Sequence, residues 1–157
     1  DTTTGSAGSF SELTSNAYDK DSPWFYCDWG SRPEYNKTAW LKNEEVADIA
    51  NVLMLAGRDA GVREHLYQPD KPNPAGTDTW DAARVRQELS NRGTSPFTSV
   101  GSVSVNADFG SGRVNTVNVS GNAGSQSFSG SDFKTYFNLR APANIQIVGP
   151  LYNIERK

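Results

Sequence analysis

The 157-residue chain reads as an α+β protein, a small antiparallel β-sheet with about three helices. Three observations predict this class. Val46, Ile49, Ala50 and Leu53 recur at helical spacing. From residue 96 the period drops to two, and Val alternates with Ser, Thr and Asn through "VGSVSVNADFGSGRVNTVNVSG". At "SGSDFKTYFNLR" the pattern becomes helical again.

Taken in order, residues 1–21 are small and polar and read as a loop or arm that orders against a partner, either another chain or an N-terminal segment missing here. "SPWFYCDWG" (22–30) follows. As a strand it points Trp24, Tyr26 and Asp28 to one side and Phe25, Cys27 and Trp29 to the other. A Gly- and Pro-containing loop leads to Trp40. "NEEVADIANVLMLAG" is the first helix, with Asn43 as N-cap, Glu44 and Glu45 at the positive end of its dipole, and Gly57 as stop. "YQPDKPNPAGTD" is a Pro-rich surface loop. "TWDAARVRQELSNRG" is the second helix, capped by Asp78 or Thr79 and ending near Gly93, with Ala82, Val85 and Leu89 as its apolar face. A meander of strands with Gly-containing turns comes next. The third helix begins near Ser131, with Ser129 as cap, Asp132 in a capping-box-like relation and Phe133, Tyr136 and Phe137 on its buried face. "NIQIVG" and "LYNIE" are expected to close the chain as strands.

Composition narrows the function. The length suits one domain with its own core. A net charge of −3 argues against nucleic acid as a partner, because that footprint is normally basic. No apolar run approaches the ~18 residues of a membrane span. Asp1 in place of Met reads as the start of a processed or excised piece. One cysteine makes no internal disulfide, and with one histidine it is too little for a zinc site, so neither metal nor cofactor is expected. Cys27, set among aromatics, reads as a buried and unreactive thiol. Asn36-Lys-Thr and Asn118-Val-Ser match a glycosylation sequon. His65, the only histidine, is the only imidazole available to a nucleophile–histidine site, and nothing in sequence brings Cys27 to it. The carboxylates are dispersed. Glu44, Glu45 and Asp48 belong to a solvated first turn, and Glu12, Glu44 and Glu88 are the glutamates an enzyme would have to use. Aromatic rings crowd positions 24–40, where they serve either a buried strand or a sugar-stacking platform.

The last third resembles a known family. Ser111-Gly112-Arg113-Val114, then Ser129-Gly130 with Phe133, then Leu139 are similar to the C-terminal portion of the SpoIID/LytB (stage II sporulation protein D) family. That portion has a strand, a Ser-Gly-Arg-Val turn, a second strand, and a Ser-Gly-x-x-Phe-Arg helix. Lys134 replaces the family's arginine. "GSAGSFSE" (5–12) is similar to the family's Ser-x-Gly-Gly-x-Thr-Glu loop, with Ser9 for the second glycine. "SPWFYCDWG" sits at its Pro-Tyr-Leu strand, and Trp40 with the following helix also has a counterpart. Residues 67–95 then look like an insertion into a single SpoIID-like domain spanning 1–157.

The resemblance implies an extracellular, cell-envelope protein of bacterial type acting on peptidoglycan glycan strands. Family enzymes are lytic transglycosylases with one catalytic glutamate on an N-terminal helix carrying a Leu-Lys-Ala-Gln-Ala-type motif. This chain has no such motif. "WDAARVRQELS" is superficially similar but lies on the wrong side of the aromatic strand. No catalytic residue is therefore assigned. Some members hold zinc near the Ser-x-Gly-Gly loop, but Ala7 stands where a cysteine ligand is expected, so zinc is not carried over. The resemblance makes 23–27 structural and leaves Trp29, Tyr35 and Trp40 as rings facing a substrate groove. The rival reading is an extracellular structural or assembly subunit that reuses the fold without glycan chemistry.

Overall fold

The computed structural model describes residues 41–154 together with Ser9. The elements run α1 (Asn43–Arg58), a 3₁₀ turn (Ala60–His65), α2 (Ala82–Asn91), β1 (Val100–Asp108), β2 (Arg113–Gly121), β3 (Gly124–Ser129), α3 (Gly130–Arg140) and a short 3₁₀ turn (Pro142–Asn144). The strands form one antiparallel sheet in the order β1-β2-β3. The class is α+β, as the sequence predicts.

The core lies between the helices and one face of the sheet. Ile49, Val52 and Leu55 of α1, Val85 and Leu89 of α2, and Val117 and Val119 of β2 are all buried. Each such side chain contributes about 1.5–3 kcal/mol on leaving water. Helix α1 packs against both α2 and α3 and reaches β1, while α3 lies on β2 and β3. Strand β2 presents Val114 and Val117 to this core although they are three residues apart. A bulge explains the change of phase. Asn106 pairs with Thr116 and Ala107 with Val114, so Asn115 is the extra residue.

Helix ends differ from expectation in instructive ways. Lys42, not Asn43, is the N-cap of α1, and its backbone N–H donates to Glu45 Oε2 at 2.6 Å. Asn43 is used elsewhere. Its amide donates to Val100 O, and its Oδ1 accepts from Val100 N. Gly57 does not stop α1, which continues through Arg58. Helix α2 is capped by Asp81 rather than Asp78 or Thr79, with Arg84 N donating to Asp81 Oδ1 at 2.7 Å. It ends in a Schellman arrangement. Gly93, at φ +71°, donates to Ser90 O and Thr94 N donates to Leu89 O. Helix α3 starts at Gly130, and Ser129 Oγ accepts from Asp132 N at 3.0 Å, as the capping signal predicts. Phe133 and Phe137 are buried and Tyr136 half-buried.

The closing segment is a correction. Residues 145–154 are packed on the core but form no strand. The backbone groups of Ile147 are already taken by Asn138, whose Oδ1 accepts from Ile147 N at 2.7 Å and whose Nδ2 donates to Ile147 O at 3.0 Å. Lys134 Nζ takes Val148 O, and Pro150, which has no N–H to offer, accepts from Val114 N. The buried Tyr152 hydroxyl then donates to Gly130 O at 2.7 Å, and burial pushes that phenol's pKa up.

Arg140 joins the parts. Its side chain is 1% exposed. Nε and Nη2 donate to the two oxygens of Asp48 on α1 at 2.6 and 3.2 Å, and Nη1 donates to the carbonyls of Tyr67 and Trp80, both at 2.8 Å. The two ends of the Pro-rich loop thus share one nitrogen.

Two substitutions test this packing. Arg140→Met leaves the half-buried Asp48 without its cation and frees two carbonyls, so urea unfolding should show a loss of about 3 kcal/mol. Combining it with Asp48→Leu should cost clearly less than the sum of the two single changes. At Gly130 an added Cβ would lie 2.1 Å from Val114 O. Gly130→Ala should therefore destabilise by about 1–3 kcal/mol, whereas Gly57→Ala, with open space at its Cβ, should not.

Candidate functional site

The groups that carry chemistry in the sequence are mostly engaged in holding the fold. His65 Nδ1 lies 2.9 Å from both Oδ1 and the backbone oxygen of Asp78, and its ring lies flat on Trp80 with centroids 4.6 Å apart. Its other nitrogen faces Glu64 Oε1 at 3.7 Å rather than a serine or a thiol. A histidine placed between carboxylates has no nucleophile to activate. Trp80 donates from Nε1 to Asp78, and Arg84 stands 5.6 Å over its ring, so this cluster fastens the loop to α2.

Among the glutamates, Glu88 receives Arg84 on Oε1 at 2.7 Å and Arg92 on Oε2 at 2.6 Å. Arg92 also reaches Asp59 at 2.9 Å, and this pairing holds the Asp59 carboxyl below its ordinary range. A general acid needs an apolar site and a free oxygen aimed at the bond it protonates. Glu88 has neither. Glu44 is exposed on the first turn of α1. Glu12, Cys27, Trp29, Tyr35 and Trp40 lie outside the described residues. Among the described residues no group of three or more His, Cys, Asp or Glu could hold a metal, and no helix is long and apolar enough to cross a membrane.

The outer face of the sheet is the candidate surface that the fold leaves exposed among the described residues. The register sets Ser102 opposite Ser120 and Ser120 opposite Ser125. The next row is Ser104, Asn118 and Ser127, and the next is Asn106, Thr116 and Ser129. Most of these side chains are exposed, with Thr116 and Ser120 half-buried. None is charged. Ser120 and Ser125 bond each other at 2.7 Å, and Ser129 is spent on the cap of α3. In the middle row the side chains of Ser104, Asn118 and Ser127 make no hydrogen bond among the described residues. The opposite face carries Val103, Val105, Val117, Val119 and Phe128, all in or against the core. The signal for this face was the alternation of small polar residues with valine. Its two-dimensional layout needed the strand register and the bulge at Asn115.

Strand β1 turns into β2 through an acidic anchor. Asp108 accepts from the Ser111 hydroxyl and from the Ser111 and Gly110 amides, and these bonds hold its carboxyl below the ordinary value of 3.8. Arg113 Nε donates in turn to Ser111 Oγ at 3.0 Å. No family model matches the chain, and no curated protein or solved structure matches it.

A carboxyl that loses its proton more readily folded than unfolded supports the fold above its unfolded pKa and ceases to do so as pH falls through its folded pKa. The contribution of Asp108 is therefore complete above about pH 3.8 and is lost progressively below it. Asp108→Asn should lower the melting temperature at neutral pH, and the gap from wild type should close as the pH is taken below that value. A gap that stays constant with pH would show that the carboxylate charge plays no part in the turn.

Proposed function

We propose that this chain is a cell-envelope domain of the SpoIID type that binds peptidoglycan glycan strands and supplies scaffold and groove rather than the catalytic glutamate. The observation that carries the reading is the outer sheet face. It is uncharged and lined by hydroxyl and amide groups around Asn118. Such a surface suits the hydroxyl and acetamido groups along a glycan strand, because an ion would shed water there without gaining a counter-charge.

The placement of the resembling stretches also supports it. Ser111–Val114 and Ser129–Phe133 meet where Gly130 packs on Val114 and Phe133 stacks beside Tyr152. Their residues serve turn, cap and close approach, which are scaffold roles. Trp29, Tyr35 and Trp40 remain the rings proposed to stack on sugar, each worth about 0.5–1.5 kcal/mol. Binding through a few such contacts is weak.

The test is incubation of the full chain with purified peptidoglycan, with and without its stem peptides. Sedimentation with the polymer and no soluble product is expected. Release of anhydro-muramoyl ends would disprove the non-catalytic reading and return Glu12 and Glu44 to consideration. No sedimentation, with Trp29→Ala and Trp40→Ala changing nothing, would favour the extracellular structural or assembly subunit.

A further inference from the structure

We propose that the open edge of β3 is an interaction surface and that its partner is a second copy of this chain, paired antiparallel about a twofold axis beside Ser127.

A strand at the edge of a sheet offers a row of N–H and C=O groups, and proteins that remain monomers blunt it with a lysine, a proline, a bulge or a covering segment. Strand β1 is met in this way at Val100, where the Asn43 side chain takes the place of a neighbour. Strand β3 has no such device. Its sequence, GSQSFS, carries no charge and no proline, and its register with β2 runs unbroken from Thr116 opposite Ser129 to Gly121 opposite Gly124. The hairpin closes on Asn122 and Ala123, so Gly121 and Gly124 are a hydrogen-bonded pair. Bonded pairs alternate from there through Val119 with Gln126 and Val117 with Phe128. The backbone groups of Ser125 and Ser127 therefore point away from β2. Among the described residues they meet no partner.

The edge is complementary to itself. With the axis beside Ser127, the Ser127 N–H of each copy donates to the Ser127 carbonyl of the other. The Ser129 N–H donates to the Ser125 carbonyl of the second copy. Gln126 and Phe128, both half-buried on the core side, become cross-strand neighbours and cover each other. No like charges are opposed. The charged side chains nearest along the sequence, Asp132 and Lys134, are engaged by Ser129 Oγ and by Val148 O. A second copy also presents its strand already extended, whereas a foreign peptide loses conformational freedom on docking. The outer faces of the two sheets then run on into one another.

The experiment follows the full chain by sedimentation velocity and native-state amide hydrogen exchange from about 10 μM to about 1 mM, the range suited to a small interface. A monomer–dimer equilibrium is expected, with the Ser127 and Ser129 N–H groups more strongly protected as concentration rises. Ser127→Lys sets like charges opposite each other on the axis and should weaken the dimer about fivefold, and Ser127→Glu should do the same. An equimolar mixture of the two variants at low salt should restore association as a heterodimer. A folding defect would not be rescued in this way.

A chain that stays monomeric throughout that range, a dimer whose concentration-dependent protection lies on other residues, or a dimer that both variants leave intact would overturn the proposal. Protection of Ser127 that persists unchanged on dilution would also overturn it, by assigning the edge to another segment of the same chain.

Discussion

One guanidinium sets the arrangement of the described part of the molecule. Arg140 ends α3, and its hydrogen bonds reach α1 through Asp48 and the Pro-rich loop through Tyr67 and Trp80. A buried arginine is costly unless every nitrogen is met, and here the partners come from separate parts of the chain. The consequence is mutual. The helices fix where the loop begins and returns, and the loop supplies the carbonyls that make burial of the arginine tolerable. His65 stacked on Trp80 and the bond from Trp80 N to His65 O close the same loop from its other side. Residues 67–95, which the resemblance marks as an insertion, are thus tied to the helices by charge and backbone bonds as well as by the apolar face of α2.

A second device recurs wherever the backbone runs extended outside a ladder. Asparagine side chains stand in for a neighbouring strand. Asn51 and Asn43 hold the approach to β1, Asn122 accepts from Thr98 N and Ser99 N, and Asn138 holds the closing segment. This explains both the successes and the failures of sequence reading. Helices α1, α2 and α3 and the strand meander are written in local periodicity and in the Ser129 cap, so they are legible. "NIQIVG" has the same local pattern as a strand, and only the amide of Asn138, nine residues before Ile147, decides that its partner is a side chain. Asn43 looks like a cap for the same reason. Its true partner, Val100, is 57 positions away.

The two faces of the sheet divide the labour. Inward valines meet the phenylalanines of α3, and the bulge at Asn115 keeps Val114 in phase with them. Outward serines, threonine and asparagines form a neutral face. The alternation was visible in the sequence, but it does not say which serines become neighbours, nor that Ser120 and Ser125 satisfy each other while the Asn118 side chain makes no hydrogen bond among the described residues. The aromatic residues that a sequence reading puts forward as a sugar platform, Trp29, Tyr35 and Trp40, belong to a part of the chain outside the described residues, so the sheet face rests on independent observations. Glu88 illustrates the opposite case. As a lone glutamate in the sequence it is a candidate acid, but Arg84 of its own helix and Arg92 at that helix's C-cap occupy both of its oxygens.

Native-state amide hydrogen exchange on the unmodified chain tests the role of Arg140 most directly. The Trp80 N–H, bonded to His65 O at 2.8 Å in a residue whose carbonyl Arg140 holds, should exchange only through the same global opening that exposes Val85 and Leu89. The Gly76 N–H at the loop tip should exchange faster. A Trp80 amide that exchanges as fast as Gly76, while α1 and α3 stay protected, would show that the loop opens by itself and that the guanidinium does not unite these elements.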